Sequence, residues 1–115
     1  MTTFLLIIIS ILYFSWIYTS RRGIQSISSS KLKEILNDPN YYFLDVRTKN
    51  EYKTKNIMQF KNIPLSSDFS KIPMDRTVVV ICQSGARSVL AYKQLKKLGY
   101  TSIVNVSGGM NSWKN

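Results

Sequence analysis

Residues 77–88 read Thr-Val-Val-Val-Ile-Cys-Gln-Ser-Gly-Ala-Arg-Ser and contain the only cysteine of the chain. The β-branched run Val78 to Ile81 ends at Cys82, a loop of small or flexible residues follows, and Arg87 and Ser88 close it. A thiol reacts as its thiolate, a form that cations and helix N-termini favour. A helix N-terminus presents unpaired N–H groups and about half a positive charge. Gly85 accepts backbone angles that strain other residues, so the loop can curl its amides inward as an anion-binding nest. Arg87 adds a permanent cation whose planar fork suits an oxyanion. The chemistry these types and spacings allow is nucleophilic catalysis at Cys82, with Gln83, Ser84, Gly85, Ala86, Arg87 and Ser88 binding the substrate. The competing reading makes Cys82 a buried strand-end residue, since free cysteine is among the most buried types. The glycine-bearing loop and the arginine five positions on favour the nucleophile.

The remaining composition narrows that chemistry. With no histidine, the usual general base and the commonest metal ligand are absent. One cysteine makes neither an intramolecular disulfide nor a Cys-rich zinc site. No cofactor and no metal are expected, and the loop and helix must activate the thiol themselves. The formal net charge is +10, from 16 Lys+Arg against 6 Asp+Glu. The lysines are scattered, which fits a solvated surface, attraction to an anionic membrane face or attraction of anionic substrates. No nucleic-acid-binding signature is present.

The thiol must be carried by a strand–loop–helix unit. Ser88 to Leu98 reads as the helix, with Val89, Leu90, Tyr92, Leu95 and Leu98 as its apolar pattern and Gly99 as its stop. Tyr41 to Val46 reads as a second buried strand ending in Asp45-Val46-Arg47, where an Asp and an Arg form an ion pair or loop clamp. Asn50-Glu51-Tyr52 opens a helical turn. Upstream, a small strand is expected at 24–27, then a helix capped within Ser28–Ser30 and carrying Leu32, Ile35 and Leu36. Residues 66–75 read as a polar, irregular connection with a turn around Phe69 and Ile72. Ile103 to Val106 is a further strand, followed by a short helix containing Trp113. Strands alternating with helices predict an α/β domain with a small, mostly parallel sheet flanked by helices. Ligands then bind beyond the carboxyl ends of the strands, where Cys82 and Asp45 both fall.

Residues 1–20 carry no charged side chain, and Phe4 to Tyr18 is almost wholly apolar. As a helix this stretch is about 30 Å long, enough to cross a bilayer core. Tyr13, Trp16 and Tyr18 resemble an interfacial belt, and Arg21 and Arg22 stop the segment. A cleaved signal peptide is the alternative, but no basic residue precedes the apolar core and no Ala-x-Ala follows it. The expected organisation is a transmembrane anchor at 1–20, a linker with the first short strand at 21–30, and a folded domain at 31–115. The positive-inside rule places residues 21–115 in the cytoplasm of a single-pass cell-membrane protein.

Cys82-Gln83-Ser84-Gly85-Ala86-Arg87-Ser88 resembles the active-site loop of the rhodanese family, the single-domain sulfurtransferases. Asp45-Val46-Arg47, the following Glu51-Tyr52 and Asn62-Ile63-Pro64-Leu65 also match the family's pattern. The resemblance implies that Cys82 accepts a sulfane sulfur as a persulfide cradled by the loop amides, and that Asp45 and Arg47 organise the loops in a supporting role. Its partners would be a small anionic sulfur donor, such as thiosulfate or a persulfide, and a thiol acceptor. Residues 55–61 depart from the pattern: the usual glycines, histidine and proline are replaced, with Asn56 standing where the histidine's hydrogen bonds would be. Rhodanese-like domains also serve as docking or sulfur-relay modules, which is the second reading. A cysteine phosphatase is the third. Those enzymes place five residues between Cys and Arg, whereas four separate Cys82 from Arg87, and no general-acid Asp is identifiable.

Overall fold

The computed structural model describes residues 2–21 and 23–114, with side chains described for 2–18 and 23–114. Ten elements follow in order: α1 (Thr2–Arg21), β1 (Ser26–Ile27), α2 (Ser29–Ile35), β2 (Tyr41–Asp45), α3 (Lys49–Thr54), β3 (Lys61–Asn62), β4 (Thr77–Ile81), α4 (Ala86–Lys97), β5 (Ile103–Val106) and α5 (Gly109–Ser112). The five strands form one sheet in the order β1-β5-β4-β2-β3, and every pairing is parallel. The expected α/β architecture is therefore present, with β4 at the centre and its carboxyl end leading straight into Cys82.

Alternation along the strands builds a core on each face of the sheet. Leu44, Val78, Val80 and Ile103 face one side, where they pack with Ala91, Tyr92 and Leu95 of α4. Phe43, Val79, Ile81 and Val106 face the other, against Leu32 and Ile35 of α2 and Met110 of α5. Cys82 keeps the parity of Val78 and Val80 and lies on the α4 side.

Several details differ from the sequence expectation. Helix α4 begins at Ala86, not Ser88, because Gly85 adopts φ +110° and turns the chain into the helix at once. The buried face of α4 is Ser88, Ala91, Tyr92 and Leu95, the i, i+3, i+4, i+7 stripe. Leu90 and Leu98 fall off that stripe and are 55% and 44% exposed. Trp113 lies just past α5 in extended conformation. The connection 66–75 is not merely polar, since Phe69 and Ile72 are core residues. The Tyr100 hydroxyl reaches their carbonyls at 2.9 and 2.6 Å and pins this loop to the domain.

The first strand is shorter than expected but sits within 24–27, and Ser28 is the N-cap of α2, its hydroxyl accepting from the Lys31 amide at 3.1 Å. The N-terminal segment is helical over Thr2–Arg21, and Phe4, Leu5, Phe14, Trp16 and Tyr18 are all more than half exposed. Among the described residues, no helix is long and apolar enough to cross a membrane. The Arg21–Arg22 pair expected to close the segment lies outside the residues whose side chains are described.

Candidate functional site

Three loops meet beyond the carboxyl ends of β2 and β4. The first is the turn from β4 into α4. Cys82 is buried at its start, and the Gly85 amide donates to Cys82 Sγ at 2.9 Å. One loop amide, that of Gly85, therefore meets the sulfur. Gly85 has the left-handed backbone that a side chain would resist. Ala86, Arg87 and Ser88 form the first turn of α4, the end of a 12-residue helix whose N–H groups lack intrahelical acceptors. The Ser88 hydroxyl lies 3.4 Å from Cys82 Sγ and fully buried. Gln83 is held by its neighbours. Its side chain bridges Arg47 Nη1 at 3.2 Å and Asn111 Oδ1 at 2.7 Å.

The second loop follows β2. Asp45 and Arg47 are 0% and 2% exposed, and Arg47 Nη2 contacts Asp45 Oδ2 at 2.8 Å. Arg47 also donates to the carbonyls of Lys55 (2.7 Å) and Glu51 (3.4 Å). The clamp read from Asp45-Val46-Arg47 is thus present and reaches both ends of the site: α3 on one side and Gln83 on the other. Asn62, the last residue of β3, supports it by donating to the carbonyls of Asp45 and Arg47 at 3.1 and 2.8 Å.

Two site residues escaped the sequence reading. The first is Glu51. Thr48 and Glu51 form a capping box at the start of α3, with the Glu51 amide donating to Thr48 Oγ1 and the Thr48 amide to Glu51 Oε1. The Thr48-x-x-Glu51 spacing is the sequence signal for it. Fixed in this way, the Glu51 carboxylate receives both arms of the Arg87 guanidinium, at 2.6 and 2.8 Å. Arg87 therefore closes the loop onto α3, and its fork is already filled by a carboxylate. The Arg87 hydrogen bonds, followed by the Thr48 amide, hold Glu51 down from its ordinary 4.5 to about 2. The same carboxylate raises Arg87, outweighing the opposing effect of partial burial.

This pair gives a pH-dependent prediction. A carboxyl depressed in the fold contributes stability above its unfolded value, and that contribution disappears as pH falls through the folded value. Both side chains are about one-third exposed, so solvent screening limits the contribution to about 1 kcal/mol or less. Glu51→Gln should therefore be slightly less stable than the parent at pH 7, by urea melts. The difference should shrink from about pH 5 downward and vanish only below about pH 2. A constant difference over that range would show that the Glu51 charge is not responsible.

The third loop is the turn between β5 and α5. Met110 and Asn111 donate their amides to the carbonyls of Cys82 (2.8 Å) and Gln83 (3.0 Å). Gly109 has φ +57°, and a Cβ there would collide with both carbonyls. The glycine pair 108–109 thus lets α5 grip the back of the thiol loop. The second unforeseen residue, Asn105 of β5, is buried and hydrogen-bonded to Ser88 Oγ. In the atypical 55–61 stretch, Ile57 and Phe60 are buried and Met58 is 84% exposed. Asn56 donates to the Tyr52 carbonyl at 2.9 Å, and the Tyr52 hydroxyl donates to the Phe60 carbonyl at 2.6 Å. The wall is therefore tied to α3 without the missing histidine. Among the described residues no cluster of metal-ligating side chains occurs.

The rhodanese-like domain family model matches residues 28–115. The sulfurtransferase of Allochromatium vinosum is 35% identical over 94 residues, covering 78% of this chain and 88% of that protein. The adenylyltransferase and sulfurtransferase uba4 of Ogataea parapolymorpha is 38% identical over 76 residues, or 63% of this chain, which spans only 20% of that much longer protein. The crystal structure of a rhodanese-related protein from Thermoplasma volcanium superposes with a TM-score of 0.70 at 36% identity, covering 77% of this chain and 89% of that one.

Proposed function

Since the chain belongs to the rhodanese-like domain family, we propose that it is a sulfurtransferase whose Cys82 carries a sulfane sulfur between a donor and a thiol acceptor. The observation that carries this reading is the seat of the sulfur: one buried thiol, met by the Gly85 amide at 2.9 Å, at the start of a loop that runs into a helix N-terminus. The Cys82 thiolate attacks the outer sulfur of the donor. A Cys82–sulfur bond forms, the donor's S–S bond breaks, and the leaving group (sulfite from thiosulfate, a thiolate from a persulfide) departs with the electron pair. An acceptor thiolate then attacks the outer sulfur and Cys82 leaves as thiolate, a ping-pong sequence. Loop amides and the start of α4 stabilise the anion at each stage. Intact-mass measurement of the full chain after incubation with thiosulfate or glutathione persulfide should show one added sulfur, removed by a thiol. No adduct from any donor would refute this reading.

One observation separates donors. Both arms of Arg87 are held by Glu51, which leaves this guanidinium less available to a donor oxyanion. That favours persulfide relay over thiosulfate turnover, so loading by glutathione persulfide should outpace loading by thiosulfate. The reverse order would return Arg87 to the role of oxyanion binder.

We further propose that α1 anchors the domain at the cell membrane, with 31–115 as the cytoplasmic folded unit. The support is the row of exposed apolar side chains from Phe4 to Tyr18 and an uncharged sequence that continues to Ser20. The full chain should stay with membranes through a carbonate wash. Digestion of the domain by protease added outside spheroplasts would contradict the orientation.

A further inference from the structure

The Ser88 hydroxyl touches three polar groups: Cys82 Sγ at 3.4 Å, the Gly85 carbonyl at 3.0 Å, and Asn105 Oδ1. A hydroxyl has one proton and two lone pairs, so it can donate to only one of them. As placed, Ser88 donates to an oxygen and accepts from the Cys82 S–H. That arrangement suits a thiol. A thiolate or persulfide anion has no proton to give, and an oxygen lone pair turned towards it disfavours the charge. For the anion, the Ser88 proton must turn to sulfur, and Asn105 must then offer Nδ2–H instead of Oδ1 to the Ser88 oxygen. Its far end permits the exchange. Asn105 Nδ2 lies 3.4 Å from Ser26 Oγ on the edge strand β1, and that hydroxyl can donate as readily as accept. A cavity of about 170 Å³ is bordered by Ser26, Gly85 and Asn105.

We propose that Asn105 is a positioning residue for the sulfur chemistry, reversing the hydrogen-bond chain Ser26–Asn105–Ser88–Cys82 so that Ser88 serves the thiol in one state and the sulfur anion in the other. The inference rests on Cys82 being the reactive thiol. Rotation of one amide and two hydroxyls accomplishes the reversal, and the Cys82 S–H bond breaks with its proton passing to solvent as the thiolate forms.

The test is the rate of Cys82 alkylation by iodoacetamide in the full chain from pH 5 to 10. A carboxylate at 105 only accepts, so Asn105→Asp holds the Ser88 proton away from sulfur and also adds an opposing charge. Alkylation at pH 7 should fall at least about tenfold and its pH profile should move upward. In a Ser88→Ala background the same Asn105→Asp change should cost about threefold or less, since only the charge remains, a non-additivity diagnostic of acting through Ser88. Equal losses in both backgrounds would overturn the proposal. If Asn105→Asp does not fold by circular dichroism, Ser26→Ala decides. It should slow alkylation about two- to fivefold, and not at all when Ser88 is alanine. An unchanged rate, or the same loss without Ser88, would overturn it. Alkylation needs no sulfur donor, so failure of the sulfurtransferase reading shows separately, as absence of loading.

Discussion

Serine in place of Cys82 should abolish sulfur loading while leaving the fold in place. The site offers no second nucleophile of this kind, because Cys82 is the only cysteine and the chain has no histidine. A hydroxyl at that position is scarcely ionised near neutrality and forms no persulfide, so transfer from persulfide or thiosulfate should drop by at least about 10⁴-fold, the scale seen when a nucleophile is removed. The surroundings tolerate the exchange. The Gly85 amide and the Ser88 hydroxyl that meet the sulfur at 2.9 and 3.4 Å can meet an oxygen as well, and the loop remains gripped by Met110 and Asn111. Thermal stability should change by about 1 kcal/mol or less. Intact mass after donor treatment, beside a melting curve, separates the two readings of Cys82. A purely structural thiol predicts lost stability with unchanged transfer, and a nucleophile predicts the opposite. Residual transfer in the serine variant would move the chemistry to another residue.

How far the site could be read beforehand depended on whether its parts were local in sequence. The thiol loop was legible because its strand, glycine and first helical turn are consecutive, and a parallel sheet puts the carboxyl ends of its strands, with the thiol, on one side. The Asp45–Arg47 clamp was legible because its partners are two residues apart and both follow a buried strand. Glu51 and Arg87 are 36 residues apart, and nothing in either local pattern names the other. The capping box that aims Glu51 was written in Thr48-x-x-Glu51, but its second use became visible only when α3 and α4 were brought together. Asn105 was hidden for a related reason. In Ile103–Val106 it reads as one polar residue in an apolar strand. Only the register that pairs it with Ser26, and the approach of α4, shows it buried against Ser88. The short strand Lys61–Asn62 carries no apolar pattern at all and exists because β2 offers it an edge. Leu90 and Leu98 mark the converse error: they fit helical spacing, but the face that docks is chosen by Ala91 and Leu95.

The largest loss of stability should come from Arg47→Met. Arg47 is 2% exposed, and its guanidinium and backbone meet the Asp45 carboxylate at 2.8 to 3.1 Å through four hydrogen bonds. The same side chain closes the end of α3 through the Lys55 carbonyl and steadies Gln83 in the thiol loop. Methionine keeps much of the volume and removes every side-chain donor, leaving Asp45 only the backbone amide of residue 47. The Asp45 carboxylate, 0% exposed, is then left in the interior without its counter-charge. Breaking a buried pair on one side costs about 3–5 kcal/mol. For a domain of this size that lowers the melting temperature by roughly 15–30 °C. Removing the stranded charge as well should reverse much of the loss, because replacing both members of a buried pair is far milder than replacing one. Asp45→Asn combined with Arg47→Met should therefore be more stable than Arg47→Met alone, by urea denaturation at pH 7. Sulfur loading should not recover in parallel, since neither residue of the double variant can hold Gln83 and Lys55 as the guanidinium does. A single variant that loses less than about 1 kcal/mol would mean that water or a shifted cation reaches Asp45. The clamp would then be a surface pair, and the three loops would owe their meeting to the packing of Phe60, Ile81 and Met110 instead.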